Sequence, residues 1–435
     1  MRRYYILTMG CQMNKNDSER IAGFLSSLGY VAVERPEDGN LLIINTCSVR
    51  QAAEDRVCGI VRNWQALRRQ KTNMIIAITG CMPGRDESGK LRRRIPGVDL
   101  WFGIDELPRL PVWLKELNVE QEKNFDYLNI KPMRESHSRA FITIQTGCNN
   151  FCTYCVVPNA RGRERNRSLI DILNEVRNFV VKGGLEVTLL GQVVNHYIAP
   201  DPESFSKENP FLSDHFAALL WELNQIAGLE RLHFTAPDPQ YFNAVQAEAL
   251  KLPKQMNYIH LPAQSGDNEI LRKMNRRYTR EQYVEIVKKI RVARPNMAVG
   301  ADLMVGFCGE TDEQFNNTLD LYKECDLDIS YNAKYSERSG TPAAKAFKDD
   351  VSREIKKRRW EELQEIMEAQ ALRKNQIYVG SIVEVLVENC EQGICSGNSR
   401  EMKLVNFLGE PNLVDTIVRV KIFEAKEWVL KGKII

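Results

Sequence analysis

Short apolar runs alternate with stretches of helical period in the first 115 or so residues. "YYILT" at 4–8 predicts a buried strand, and "NDSERIAGFLSSLG" at 16–29 predicts a helix that stops at Gly29. "LLIIN" at 41–45 predicts a second strand, followed by a helix to about Arg69, and "MIIAIT" at 74–79 predicts a third. Strand-like runs separated by helical patterns imply βαβ units and a parallel sheet. Residues 118–138 are polar and irregular, as a linker would be. From 140 a longer series begins, with strands expected at 140–145, 186–191, 231–236, 257–262, 299–306 and 328–335. Helical patterns lie between them, at 168–182, 213–227, 279–293 and 311–324. Successive βα units of this kind predict a partial or full parallel barrel, whose site lies at the carboxyl ends of the strands. A charged helix over about 351–375 follows. Then "IVEVLVENC" and "DTIVRVKIFEAKEWVLKGKII" alternate with period two, broken by glycine. That pattern predicts a small antiparallel barrel or sheet. The expected class is α/β in three units: a parallel βαβ sheet over 1–117, a (β/α)6-type partial barrel over 134–364, and a small antiparallel β unit over 367–435.

The composition changes this picture little. At 435 residues the chain exceeds one ordinary core, and 43% hydrophobic with 27% charged residues is ordinary for a globular protein. A net charge of +3 means that a polyanion must be held by local patches. "MRRYYILTMG" has no apolar core with a small-residue cleavage site, and runs such as "MIIAI" fall far short of a membrane span. A cytoplasmic protein with no membrane partner is expected. There, 11 cysteines point to metal binding or catalysis before disulfides.

Two groups of cysteines stand out. Met9-Gly10-Cys11, Thr46-Cys47 and Gly80-Cys81 each follow a predicted strand, about one βα repeat apart. An open parallel sheet binds ligands beyond the carboxyl ends of its strands, so these thiols should converge on a metal. The alternative is three unrelated buried thiols. The second group is "GCNNFCTYCVVPNARGRERNRS" at 147–168, with Cys148, Cys152 and Cys155 in C-x3-C-x2-C spacing. Structural zinc takes four protein ligands, and no fourth stands nearby at a suitable spacing. A [4Fe–4S] cube held by three thiolates leaves one iron open for a substrate or cofactor. The alternative is a zinc knuckle. Arg161, Arg163, Arg165 and Arg167 follow at once, and guanidinium forks suit phosphate groups. A charge run is otherwise a solvated loop. Arg92–Arg94 and Lys356–Arg359 read as solvated helix faces.

The thiol loop resembles the signature of the radical S-adenosylmethionine (SAM) superfamily, which has an aromatic before the last cysteine, here Tyr154. The likeness covers nearly the whole chain. "TMGCQMNKNDSE", "NTCSVR", the Gly-Cys at 80–81, "LLGQVVNHY", "HLPAQSGDNEILRKMNR" and "GFCGET" resemble the methylthiotransferase family. "RGRER" and "GCNNFC" are more similar to its tRNA branch, the MiaB-like enzymes, and the last segment resembles a TRAM domain, an RNA-binding module. The resemblance implies two [4Fe–4S] clusters, on Cys148, Cys152 and Cys155 and on Cys11, Cys47 and Cys81, facing one cavity. One SAM would serve as methyl donor and a second as the source of a 5′-deoxyadenosyl radical. The product implied is a methylthio group on C2 of N6-isopentenyladenosine, beside the anticodon of tRNA. The implied partners are the tRNA anticodon stem-loop, an electron donor such as flavodoxin or ferredoxin, and a sulfur or iron–sulfur supply system. Sibling readings place the chemistry on threonylcarbamoyladenosine in tRNA or on a ribosomal protein. A reading from another class is a non-catalytic RNA-binding protein stabilised by metal.

Many superfamily members have a Gly-Gly segment that contacts the methionine part of SAM, which marks Gly183, Gly184 and Glu186. Gln192, Asn195, Gln264, Ser265, Asp302 and Glu310 stand where they could bind SAM or the adenine, or equally cap a turn. Cys58 and Cys325 read as structural, and Cys390 and Cys395 have no assigned role. Cys308 stands where the family usually has proline, and Val193 where it usually has asparagine.

Overall fold

The computed structural model describes residues 2–48, 51–71, 73–114 and 126–435. Val49 and Arg50 of "NTCSVR", the expected boundary at 117 and the 118–125 part of the expected linker lie outside the described residues.

Five parallel strands form the first sheet, in the order β2 (Val31–Ala32), β1 (Arg3–Met9), β3 (Leu41–Thr46), β4 (Ile75–Gly80), β5 (Leu100–Trp101). The central strand β3 is buried at every residue, because both of its faces are covered. Leu41 and Ile43 meet Ile21, Phe24 and Leu25 of helix α1 (Gln12–Ser27). Leu42 and Ile44 meet Val57, Val61 and Trp64 of helix α2 (Gln51–Gln70). α1 begins earlier than its periodicity predicted, directly behind Cys11.

The second unit departs from one continuous barrel. Its six parallel strands fall into two three-stranded sheets. One holds β6 (Arg139–Thr143), β9 (Glu186–Leu190) and β10 (Arg231–Phe234). The other holds β11 (Tyr258–His260), β12 (Ala298–Val305) and β13 (Ile329–Lys334). A single bridge, Leu232 to Gln255, lies between them. A two-residue ribbon, β7 (Gln145–Thr146) with β8 (Arg165–Asn166), closes the loop that carries the C-x3-C-x2-C cysteines. The surrounding helices start where short polar side chains accept the free N–H groups of the first turn. Ser168, Asp214, Thr279 and Thr311 cap Leu169–Val181, His215–Asn224, Arg280–Ala293 and Asp312–Glu324.

Helix Arg353–Gln376 leads to a closed barrel of β14 (Ile382–Glu391), β15 (Ile394–Ser399), β16 (Leu404–Leu408), β18 (Leu430–Ile434) and β17 (Ile417–Ala425). One pair, β16 with β18, is parallel, so this unit is not wholly antiparallel. Cys390 and Cys395 face each other across the β14–β15 hairpin and are joined as a disulfide. This barrel docks on the amino ends of the central strands. Arg231 donates to the carbonyls of Asn398 and Glu384, each at 2.9 Å, and Arg139 pairs with Glu388 at 2.6 Å. The carboxyl ends therefore remain for the first unit. Among the described residues no helix is long and apolar enough to cross a membrane.

Candidate functional site

Strand register brings the first cysteine group to one edge. Met9 pairs with Thr46, and Thr46 with Gly80, so Cys11, Cys47 and Cys81 leave adjacent strands at one level. Glycine lets the loops close. A Cβ on Gly10 (φ +144°) would lie 2.9 Å from the Cys47 Cβ, and one on Gly80 (φ +97°) 2.5 Å from the Thr46 carbonyl. The Cys47 N–H donates to the Met9 carbonyl at 2.9 Å. Beneath Cys81 the Arg161 guanidinium pairs with buried Asp17 at 2.6 Å, and Asp17 also accepts from the Tyr127 hydroxyl. Burial pushes the Cys81 thiol up, and Arg161 opposes the rise. Arg161 Nη1 is buried without a hydrogen-bond partner. A buried donor of this kind asks for an anion, and a metal-bound thiolate at Cys81 supplies one. Among the described residues no three His, Cys, Asp or Glu side chains close on a single ion. Thiolates on a cube each take a different iron, which is a wider arrangement.

The second group has one donor per sulfur. The N–H of Asn150 points at Cys148 Sγ (3.3 Å), that of Val157 at Cys155 Sγ (3.4 Å), and Arg276 Nη1 at Cys152 Sγ (3.3 Å). Burial pushes the Cys148 thiol up to about 11 and the Cys155 thiol up to about 12. Metal coordination overrides such shifts, since a coordinating thiol is deprotonated outright. The loop is held from residues 273–278. Thr153 N–H donates to the Met274 carbonyl (3.0 Å), Asn275 Nδ2 to the Phe151 carbonyl (2.9 Å), and Arg276 pairs with Asp238 (3.1 Å). Tyr154 packs against the small core of Ile270, Met274, Phe307, Cys308, Tyr335 and Ala343. It anchors the loop from behind, and Cys308 is part of that anchor.

The two groups are joined by contact. The five-residue helix Val157–Arg161 starts two residues after Cys155 and ends on the arginine that faces Cys81. Helix α3 (Cys81–Gly84) packs on it, and a Cβ on Gly84 would lie 2.2 Å from the Ala160 carbonyl. A cavity of about 1240 Å³ opens beside them, lined by Cys11 and Cys47 at one end and by Gly191 and Gln192 beyond β9.

Three family models match the chain in series: uncharacterized protein family UPF0004 over residues 3–103, the radical SAM superfamily over 142–322, and the TRAM domain over 376–435. A tRNA-2-methylthio-N(6)-dimethylallyladenosine synthase of Anoxybacillus flavithermus is 40% identical, across 100% of this chain and 83% of the relative. The same-named protein of Clostridium botulinum strain Hall is 40% identical, across 99% of this chain and 96% of the relative. The chain belongs to the tRNA-2-methylthio-N(6)-dimethylallyladenosine synthase family. Among solved structures, the radical SAM methyltransferase TsrM from Kitasatospora setae has a TM-score of 0.56 at 15% identity, covering 79% of this chain and 77% of that one. The radical SAM enzyme OxsB has a TM-score of 0.53 at 10% identity, covering 82% and 56%. These two show the shared fold. As a member of the synthase family the chain is a radical SAM transferase that uses an iron–sulfur cluster and SAM.

Several expected contacts in this synthase-family chain need correction. Gly183, Gly184 and Glu186 lie at the amino end of β9, the end opposite the cysteines. Gly183 (φ +94°) terminates helix Leu169–Val181, Gly184 backs onto the Phe179 ring, and buried Glu186 pairs with Arg231 at 3.6 Å beneath the last barrel. The carboxyl end of β9 carries Gly191 and half-buried Gln192 instead. Gln264 (φ +68°) is half-buried and exchanges backbone bonds with Asp302 and Met304, which hold its backbone and do not bear on the expected role of its side chain. Asn195 bonds the Asp238 backbone, Ser265 lies buried beside Thr318, and Glu310 is buried against Arg359 at 2.8 Å. Of the arginine run, Arg161 and Arg167 are interior. Arg167 donates to the Thr143 carbonyl at 2.8 Å and pairs with Glu175 at 2.6 Å. Their guanidiniums are buried in ion pairs with buried Asp17 and half-buried Glu175, so neither is open to a phosphate. Arg165 is exposed and pairs with Asp126, and Arg163 is exposed. Lys356 and Arg359, expected on a solvated face, are buried in ion pairs with Asp349 and Glu310. Sequence reasoning gave no role to Arg276 or Asp238, although Arg276 is the last residue of the quoted "HLPAQSGDNEILRKMNR" stretch.

The α3 contact supports a specific expectation. Gly84→Val must push the two short helices apart by about an ångström, a shift that can cost about a hundredfold in a positioned reaction. Product formation should fall on that order while SAM cleavage by the Cys148 loop persists. Equal loss of both activities would show that the contact only supports the fold.

Proposed function

We propose that the protein adds a methylthio group to C2 of N6-isopentenyladenosine next to the tRNA anticodon, using one SAM as methyl donor and a second as radical source. The observation that carries this reading is the contact between helix Cys81–Gly84, which opens on one thiol triplet, and helix Val157–Arg161, which directly follows the other, with Cys11 and Cys47 lining the cavity beside them. Full-length likeness to named synthases supports it. Cys148, Cys152 and Cys155 would hold one [4Fe–4S] cluster, and Cys11, Cys47 and Cys81 a second. When bound, the first supplies the electron that cleaves SAM and the second the sulfur site.

An aromatic C2–H is neither acidic nor electrophilic enough for side-chain acid–base attack, so the chain's own residues act by holding and shielding. Asn150, Val157 and Arg276 orient the sulfurs of the loop, and Arg161 answers the charge at Cys81. Segment 1–117 would carry the auxiliary site, 134–364 the SAM core, and 367–435, with Arg163 and Arg165, the grip on the anticodon stem-loop. A flavodoxin- or ferredoxin-type donor would supply electrons, and a sulfur or iron–sulfur supply system would restore what turnover consumes. The setting is the cytoplasm, where tRNA is.

Nucleoside mass spectrometry of tRNA from a deletion strain tests the substrate. The 2-methylthio-isopentenyl nucleoside should vanish, and its persistence would count against the assignment. Anaerobically purified protein should hold about eight irons per chain. Zinc in their place, without reductive SAM cleavage, would favour the non-catalytic reading.

A further inference from the structure

Parallel barrels usually fill their interior with branched aliphatic side chains. Here the interior positions carry His233, Tyr258, His260, Asp302 and Tyr331, all lining the cavity that reaches Cys11 and Cys47. Gly300 makes room for them. A Cβ there would lie 2.1 Å from the Tyr258 hydroxyl oxygen and 3.0 Å from His260 Nδ1. Tyr258 Oη and His260 Nδ1 are 3.0 Å apart, and His260 Nε2 stands 3.1 Å from Asp302 Oδ2. With a neutral imidazole the chain of bonds is consistent: the Tyr258 hydroxyl donates to Nδ1, and Nε2–H donates to Asp302. The Asp302 side chain is still 44% exposed, so its carboxylate keeps acceptor capacity toward the cavity. His233 is 4% exposed and its Nδ1 has no hydrogen-bond partner. Desolvation pushes this imidazole down to about 3, so it faces the cavity neutral. Tyr331 is 56% exposed, with its ring 5.4 Å from that of His260.

We propose that this interior network receives the N6–H edge of the flipped target adenine, with Asp302 as acceptor and the C2 edge turned toward the Cys11–Cys47 end. The inference rests on the function proposed above and names what that site reads. An N6-substituted adenine keeps one N–H, and a bond from it to a carboxylate is charge-assisted and strong. A purine with a carbonyl at C6 sets an acceptor against Asp302 and is repelled. Flipped bases are read in this manner, by their pairing edge and by a ring such as Tyr331.

SAM carries an adenine too, so the test separates the two. Binding of anticodon stem-loop RNA to reconstituted full-length protein is measured with N6-isopentenyladenosine, or with hypoxanthine, at the target position. The parent should prefer the former by about tenfold or more. Asp302→Ala should erase that preference, and it should reduce RNA discrimination further than it reduces SAM affinity measured without RNA. Asp302→Asn, whose amide can donate to a C6 carbonyl, should narrow or invert the preference and serves if the alanine variant does not fold. An unchanged preference in these variants, no preference in the parent, or a fall confined to SAM affinity overturns the proposal. Should the parent bind the prenylated stem-loop selectively yet leave it unmodified, the proposed function fails and the recognition stands.

Discussion

Cys47→Ala is expected to stop methylthiolation while SAM cleavage continues, and Cys148→Ala is expected to abolish both. The measurements are 5′-deoxyadenosine release under a chemical reductant and the 2-methylthio nucleoside in the RNA product. The asymmetry follows from where the thiols are anchored. Cys47 ends β3 in the first sheet, and its loop is fixed by the backbone bond to Met9. Cys148 belongs to a different scaffold, the loop closed by β7 and β8 and held by residues 273–278. Removing one thiolate should empty its own site and spare the other, so either variant should drop from about eight to about four irons per chain. Full product formation by Cys47→Ala would remove the auxiliary site from the sulfur route. Loss of SAM cleavage in Cys47→Ala would mean that the two sites share one structural fate.

Which parts of this architecture could be read from the chain depended on the range of the interactions that decide them. β3 was legible because a strand covered on both faces reads as a near-continuous apolar run, and "LLII" at 41–44 is one. The helices of the second unit were legible because their caps are local, as with Thr279 and Gln282 or Thr311 and Gln314. β2 and β5 were not, since two residues hold no periodicity. Nor was the split between the two central sheets, which depends on how distant strands meet. Cys11, Cys47, Cys81 and Cys148 were legible because each follows a glycine or a strand end, whose place along the chain sets its place in space, and Cys152 and Cys155 follow Cys148 at short spacing within one loop. The SAM contacts assigned to Gly183, Gly184 and Glu186 failed for a topological reason: a glycine pair before a strand lies at the opposite end of the sheet from one after it. The arginine run illustrates a further limit. The neighbours that separate Arg161 and Arg167 from Arg163 are Asp17 and Glu175, carboxylates supplied by other elements. Charge spacing alone carries no information about them.

That division makes the arginine run the sharpest test of how the two scaffolds are joined. Arg161→Ala leaves Asp17 buried with the Tyr127 hydroxyl as its main remaining partner, and breaking a buried pair from one side costs about 3–5 kcal/mol. It also removes the cation beside Cys81, so iron at the auxiliary site should fall along with the denaturation midpoint. Arg161→Lys should recover part of the stability, because it keeps the charge and loses the fork. Arg163→Ala, at an exposed position, should unfold at the parent's midpoint and keep its iron. Its effect should appear in RNA affinity, with the slope against log salt reduced by about 1 if a phosphate contact is lost. If Arg161→Ala were as stable and as iron-loaded as the parent, and weakened only RNA binding, the whole run would act on phosphate. The link drawn here between Cys155, Arg161 and Cys81 would then have no part in holding the two thiol sites together.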